Sequence, residues 1–315
     1  MKKSPTKLRS AFSLLEISII FVIVGIVLAT IIRSSSIYTD YKINTARSLT
    51  SSSDISSIQG LILWLDATAE KSFDSAERED NTAISTWYDI NPTINPNNAT
   101  QNTAASKPLY VMDAINNLPA LKFDGTDDSL RLSSYGTGLS GTPETANNFT
   151  IFVVAKPNSA DALSIESTSG TAGTDNKKYL LFPESGVGTY PAISAAGAGI
   201  AMGTNGISVY EHSSSYMPPL LVYATTATKP TIVEVDYTNK VPSLYVNGSL
   251  VRTTAQGSAS YVFPTFNIGG SSSFVSYGYY SGYIAEIIIY NRVLLNDERE
   301  SVAKYLSKKW GIKLS

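Results

Sequence analysis

Two hydrophobic periodicities divide this chain. From Phe12 to Ile32, 21 residues carry one charge, Glu16. At ~1.5 Å per residue such a run makes a helix of ~31 Å, the thickness of one hydrocarbon core. Before it, residues 1–11 hold Lys2, Lys3, Lys7 and Arg9 and no acid, which predicts a cytoplasmic N-terminus and a C-terminus outside. A cleaved secretory signal has a shorter apolar stretch, with small residues at the cut site behind it; here no Ala-x-Ala follows, and Ala11 precedes the run. Beyond Ile32, the stripe Ile37, Tyr41 and Leu49 continues a helix with one apolar face to residue 50. The Ser-rich stretch 51–59 reads as a frayed helical end or linker.

From Gly60 the period becomes two. Residues 60–66, Phe149–Ala155 and Ile284–Tyr290 are nearly continuous apolar strands, the last interrupted by Glu286. Thr231–Tyr237 alternates, with Val233, Val235 and Tyr237 on one face and Ile232, Glu234 and Asp236 on the other. Ser243–Val246 and Ser249–Thr253 flank Asn247-Gly248, the signature of a type I′ hairpin. About a dozen short strands between Gly, Pro and Asn clusters predict a two-sheet β-sandwich or jelly roll. A helix closes the chain: Asn296 can cap it, Asp297 and Glu298 suit its first turn, Lys308 and Lys309 its last, and Gly311 its end. The fold class is therefore mainly β, a long N-terminal helix followed by a sandwich over 60–315 with a short C-terminal helix.

Composition narrows the chemistry. There is no cysteine, which removes disulfides, Cys-ligated metals and a thiol nucleophile. His212 is the one histidine, so multi-His metal sites are impossible and no role is assigned to that ring. A net charge of −2 excludes a nucleic-acid partner held by a basic surface.

The string Ala11-Phe12-Ser13-Leu14-Leu15-Glu16 behind a basic leader resembles the type IV prepilin signal. That resemblance implies cleavage by a prepilin peptidase between Ala11 and Phe12, N-methylation of Phe12, and pairing of Glu16 with a neighbouring pilin-like subunit during assembly. It divides the N-terminal part into a leader, 1–11, and a pilin-type helix, 12–50, transmembrane over 12–32. A second set of strings resembles the laminin-G-like, concanavalin A-like jelly-roll domains of bacterial surface proteins. Among them are Leu63-Trp64-Leu65-Asp66-Ala67, Trp87-Tyr88-Asp89, Leu121-Lys122-Phe123-Asp124-Gly125, Gly282-Tyr283-Ile284-Ala285-Glu286, Tyr305-Leu306 and Lys309-Trp310-Gly311. Together they imply a pilin-like surface or filament subunit displaying a sandwich that binds a glycan or a surface protein. It would sit as a single pass in the inner membrane, then in a pilus, a pseudopilus or at the cell surface. A pseudopilin of a type II secretion-like system is the alternative, and a membrane-anchored glycan-processing enzyme stands behind both.

Candidate chemistry in the sandwich is sparse. Glucanases of this fold carry Glu-x-Asp-x-x-Glu on one strand. Here Glu234-Val235-Asp236-Tyr237-Thr238-Asn239 ends in Asn, which cannot protonate a leaving group, so no catalytic residue and no enzymatic activity are expected. Glu286, inside an apolar strand, reads as half of a structural ion pair. Asp124, Asp127 and Asp128 cluster in a Gly-containing loop that suits calcium, the one cofactor envisaged; Asp and Gly also make ordinary turns. Tyr277, Tyr279, Tyr280 and Tyr283 could offer rings to a sugar, against the plainer reading that alternate tyrosines are core.

Overall fold

A computed structural model describes residues 14–92, 96–132, 146–184, 195–271 and 277–315, with backbone alone for 14–16 and 27–36. The chain divides into two compact units, Met1–Asn44 and Thr45–Ser315.

The helix α1 spans Leu14–Ser51. Its described apolar side chains, Ile17 to Ile26, are exposed. No helix among the described residues is long and apolar enough to cross a membrane. The transmembrane span expected over 12–32 is thus not found, and the pilin-like reading is corrected with it. The inner-membrane single pass, the prepilin peptidase and the neighbouring pilin-like subunits are unsupported with it. Ala11 and Phe12 lie outside the described residues, and so does the Glu16 side chain.

Among the described residues of the second unit, strands build two sheets of nine. One runs from the edge strand Ser249–Thr253 through Val241–Val246, Thr231–Thr238, Phe149–Pro157, Ser281–Tyr290, Leu118–Asp124 and Leu109–Ile115 to Thr82–Ala83. Leu61–Asp66 pairs with the second half of Ser281–Tyr290, beyond the reach of Leu118–Asp124. The other sheet runs from Pro219–Ala224 through Gly206–His212, Ala195–Gly203, Tyr179–Pro183, Phe266–Ile268, Leu130–Leu132 and Ala99–Thr100 to Thr86–Trp87. Pairing is antiparallel, apart from Tyr261–Phe263, which lies parallel to Ala195–Ala196. The mainly β, two-sheet sandwich with a short C-terminal helix is as the sequence predicts.

Alternation decides the core. Ile151, Val153, Val233, Val235, Tyr237, Ile287 and Ile289 face the opposite sheet and join one apolar cluster with Ile200, Ile207, Val209 and Phe266. Thr150, Phe152, Ile232, Glu234, Glu286, Ile288 and Tyr290 point to the outer face, yet are also buried. The helix α2, Asn296–Trp310, covers that face with Val302, Leu306 and Trp310. The sequence predicts Asn296 as its cap; instead Leu295 precedes the first turn, and the Glu298 carboxylate accepts the Leu295 N–H at 2.9 Å while pairing with Arg292. Gly311 ends α2 in the left-handed region, at φ 62°. The predicted hairpin also forms, with Asn247 at φ 50° and Gly248 at 82°.

One irregularity places a functional-looking acid. In Ser281–Tyr290, Ile284 pairs with Ala155 and Glu286 with Val154, so Ala285 is an extra residue. A bulge of one residue reverses which side chains face the core. Ile284 faces inward ahead of it; Ile287 and Ile289 face inward behind it. Without the bulge, the Glu286 carboxylate would enter the apolar space between the sheets.

Candidate functional site

Turned outward, Glu286 enters a buried polar network under α2. Its Oε1 accepts from Trp64 Nε1 at 2.8 Å and Tyr305 OH at 2.8 Å. Its Oε2 accepts from Trp310 Nε1 at 2.7 Å and Lys309 Nζ at 2.9 Å. Lys309 Nζ also pairs with Asp66 Oδ2 at 2.7 Å and donates to Thr50 Oγ1 at 2.9 Å. Asp66 Oδ1 accepts the Thr68 N–H and hydroxyl, each at 2.8 Å. Burial raises the Glu286 carboxyl above its ordinary range, and Lys309 pulls it back. Every group is satisfied, so this cluster pins α2 and the end of α1 to the sheet. The expectation of a structural ion pair for Glu286 holds, and the residues carrying the jelly-roll resemblance are its members.

The Glu234–Asp236 strand is closed to substrate by the same helix. Arg299 lies 3.5 Å from Glu234 Oε2 and stacks on the Tyr245 ring at 4.3 Å. Burial, then the neighbouring Asp236, pushes the Glu234 carboxyl up to about 9; burial lifts Asp236 to about 6. Asn239 sits in the following turn at φ 50°.

The acidic loop is built differently. One carboxylate oxygen from each of Asp124, Asp127 and Asp128 lies within 4.8 Å of the others. Asp124 Oδ1 accepts the Thr126 and Asp127 N–H groups at 2.7 and 3.3 Å. Asp128 Oδ2 accepts the Asp124 N–H at 2.9 Å, and Asp127 Oδ2 the Ser106 hydroxyl at 3.1 Å. The remaining oxygen of each carboxylate accepts no hydrogen bond among the described residues. Gly125 is required where the loop turns: at φ 83°, a Cβ would fall 2.8 Å from that of Ser281. Asp128 is buried, and desolvation together with its two acidic neighbours pushes its carboxyl up to about 7. A cation would relieve that repulsion, so this donor set fits calcium in kind.

Asp127 also faces a cavity of about 330 Å³, lined by Thr100–Thr103, Ser106, Ser129, Arg131, Ser271 and Tyr279. Its walls are fixed internally: Gln101 Nε2 donates to Ser129 O at 2.9 Å and Gln101 Oε1 accepts the Thr103 N–H at 2.9 Å. Gly270 lets the half-buried Tyr279 ring lie on the backbone; a Cβ there would fall 2.3 Å from Tyr279 Cδ1.

Of the four tyrosines singled out from sequence, only Tyr279 joins this cavity. Tyr280 is wholly buried against Phe123. Tyr277 packs on Phe182 and His212. Tyr283 lies under the Lys156 ammonium, at 5.6 Å. His212 is held by Pro183 O at 2.8 Å, and burial lowers its pKa. Arg131, Gln101 and Asn102 escaped sequence reading because nothing in their local pattern separates them from ordinary surface residues.

Neither a protein-family model nor a curated protein matches the chain. Solved structures similar to it include a Trypanosoma rangeli sialidase in complex with sialic acid, at 14% identity and TM-score 0.46, over 82% of this chain and 34% of that one. Domain 4 of AbnA, a GH43 extracellular arabinanase from Geobacillus stearothermophilus in complex with arabinotriose, is similar at 15% identity and TM-score 0.42, over 78% of this chain and 98% of that one. The binding domain of Paraclostridial Mosquitocidal Protein 1 is similar at 11% identity and TM-score 0.45, over 80% and 55%. This chain spans about a third of the sialidase. None of these structures is a pilin. Sialidases are among the similar structures, and the expectation of a chain without enzymatic activity is withdrawn. That expectation rested on Asn239 alone, and one strand closed by α2 says nothing of chemistry elsewhere. With TM-scores below 0.5, the functional reading rests on the chain's own residues.

Proposed function

We propose that the sandwich is a carbohydrate-binding domain whose ligand occupies the 330 Å³ cavity. The observation supporting this reading is convergence. Asp127 and Gln101 bring acceptors, Arg131 and Asn102 bring donors, several hydroxyls do both, and the Tyr279 ring borders the same space. Sugars present hydroxyls that donate and accept at fixed angles, and C–H faces that pack on aromatic rings; a cavity of this size and make-up matches both. Calcium held by Asp124, Asp127 and Asp128 would fix Asp127 at the cavity edge, so binding is expected to depend on the cation.

The test is a glycan array of neutral and acidic oligosaccharides probed with the full chain, with calcium and with a chelator. Calorimetry on the best ligand follows, and the same oligosaccharides are assayed for hydrolysis. Tyr279→Ala should weaken binding about tenfold, the scale of losing one aromatic contact. Asp127→Asn should weaken it and abolish the calcium requirement. Unchanged affinity in both variants would place the ligand elsewhere.

A further inference from the structure

A larger cavity opens at the other side of the sandwich. The segment Thr225–Thr231 crosses from the edge strand Pro219–Ala224 of one sheet to Thr231–Thr238 of the other. It faces Gly311–Ser315 across about 720 Å³. Both walls are pinned. The Thr225 and Ala227 N–H groups donate to Asn205 O and Thr204 O at 3.1 and 3.0 Å. The Ser315 N–H donates to Asn247 O at 3.0 Å, and the Ser249 hydroxyl to Ser315 O at 3.1 Å.

The lining has two characters. Ile207, Tyr223, Val246 and Val251 make an apolar floor continuous with the core between the sheets. The rim carries hydroxyls, amides and two ammonium groups, Lys229 on the crossing segment and Lys313 on the C-terminal one. Neither ammonium has an ion-pair or hydrogen-bond partner among the described residues. The lining holds no Asp or Glu side chain, and the carboxylate at Ser315 forms no ion pair with either ammonium. An apolar floor with two unpaired cations at its mouth complements one ligand chemistry. Water alone leaves the floor unsatisfied, and a neutral lipid or a sugar leaves the lysines unused.

We propose that this cavity is a second ligand site, for a small anionic amphiphile. The apolar body rests on Ile207, Val246 and Val251, and a carboxylate or sulfonate head is held at the rim by Lys229 and Lys313. It shares no lining residue with the polar cavity assigned to carbohydrate, so either assignment can fail alone.

Titration calorimetry of the full chain with sodium octanoate, and with 1-octanol as the neutral counterpart, tests the site. Octanoate should saturate one site per chain and bind more tightly than octanol. The double variant Lys229→Gln/Lys313→Gln should weaken octanoate about three- to tenfold, the range for exposed cations, and leave octanol unchanged. Val251→Trp should abolish both by filling the floor. Absence of a saturable site would overturn the proposal. So would octanoate binding that survives both sets of substitutions, because the ligand would then sit on the exposed apolar turns of α1. The lysines are exposed, so the double variant keeps the test valid even if Val251→Trp fails to fold.

Discussion

Lys309→Met is expected to be the most destabilising single substitution in the chain. The Lys309 side chain is fully buried between Asp66 and Glu286, at 2.7 and 2.9 Å, and both acids are fully buried too. Removing the cation leaves two carboxylates close together in a low-dielectric site. Breaking a buried pair in this way costs about 3–5 kcal/mol, because an uncompensated charge remains. The site has two acids, so the upper end is expected. At about 2–4 °C per kcal/mol for a domain of this size, the melting temperature should fall by roughly 10 °C or more. Glu286→Gln should cost less, because the amide oxygen can still accept from Trp64 or Trp310 while its NH2 group faces donors. The pair Glu286→Leu/Lys309→Met should cost less than its two single changes added together, since each removes the partner the other leaves stranded. Urea unfolding of the parent, the single variants Lys309→Met, Glu286→Gln and Glu286→Leu, and the double variant measures this. A Lys309→Met variant within 1 kcal/mol of the parent would show that the network contributes nothing to the docking of α2.

How much of this was legible beforehand depends on distance along the chain. The alternation in Thr231–Tyr237 was readable, because period two is a local property and a central strand obeys it. Asn247-Gly248 was readable because few other pairs tolerate positive φ at both positions. Glu286 could be recognised as an ion-pair partner, but not which way it faced. Counting by two from Ile284 puts it in the core, and only the extra residue Ala285 turns it outward. Nor could its partner be named: Lys309 lies one turn after Tyr305 on a helix whose surface pattern looks solvent-exposed. Glu234 and Asp236 were assigned to a polar face; that face exists, but α2 covers it. The apolar run 12–32 was read as a membrane span from its length and hydropathy, the basic leader before it and the prepilin-like string at its start. The candidate cavity shows the same limit. Asp127 and Tyr279 were each marked by local composition, and only the pairing of Phe266–Ile268 with Leu130–Leu132 brings their loops to one opening.

Stability should fall as pH rises from 5 to 9, a direction opposite to that of a protein held by paired surface carboxylates. Among the buried carboxyls pushed upward are Asp236, to about 6, Asp128 and Glu211, to about 7, and Glu234, to about 9. In each case desolvation is the leading cause. The opposing cations are few: Arg299 for Glu234 and Asp236, Lys122 for Asp128, and Lys240 for Glu211, which also accepts from the Tyr216 hydroxyl at 2.8 Å. A carboxyl whose folded pKa exceeds its unfolded value binds more protons when folded. Its contribution is complete below the unfolded pKa, near 4, and is lost as pH climbs through the folded pKa. The acids shifted downward, Glu166, Glu298 and Glu300, act in the opposite sense, and their contribution is lost only as pH falls below their unfolded range. The loss therefore begins above about pH 4 and continues to about 9, its slope easing as each group's folded pKa, near 6, 7 and 9, is passed. A single group whose proton affinity differs tenfold between the folded and unfolded chain is worth about 1.4 kcal/mol, so even one such group should lower the melting temperature by about 3–6 °C across the window. Thermal unfolding in buffers of equal ionic strength at pH 5, 7 and 9 measures it. Glu234→Gln replaces a carboxyl that is neutral at pH 7 by an amide of the same shape. That variant should melt close to the parent at pH 5, above it at pH 9, and with a shallower slope between. A flat or rising profile in the parent, or a Glu234→Gln profile parallel to it, would mean that Arg299 holds Glu234 ionised and that α2 is docked by a conventional salt bridge.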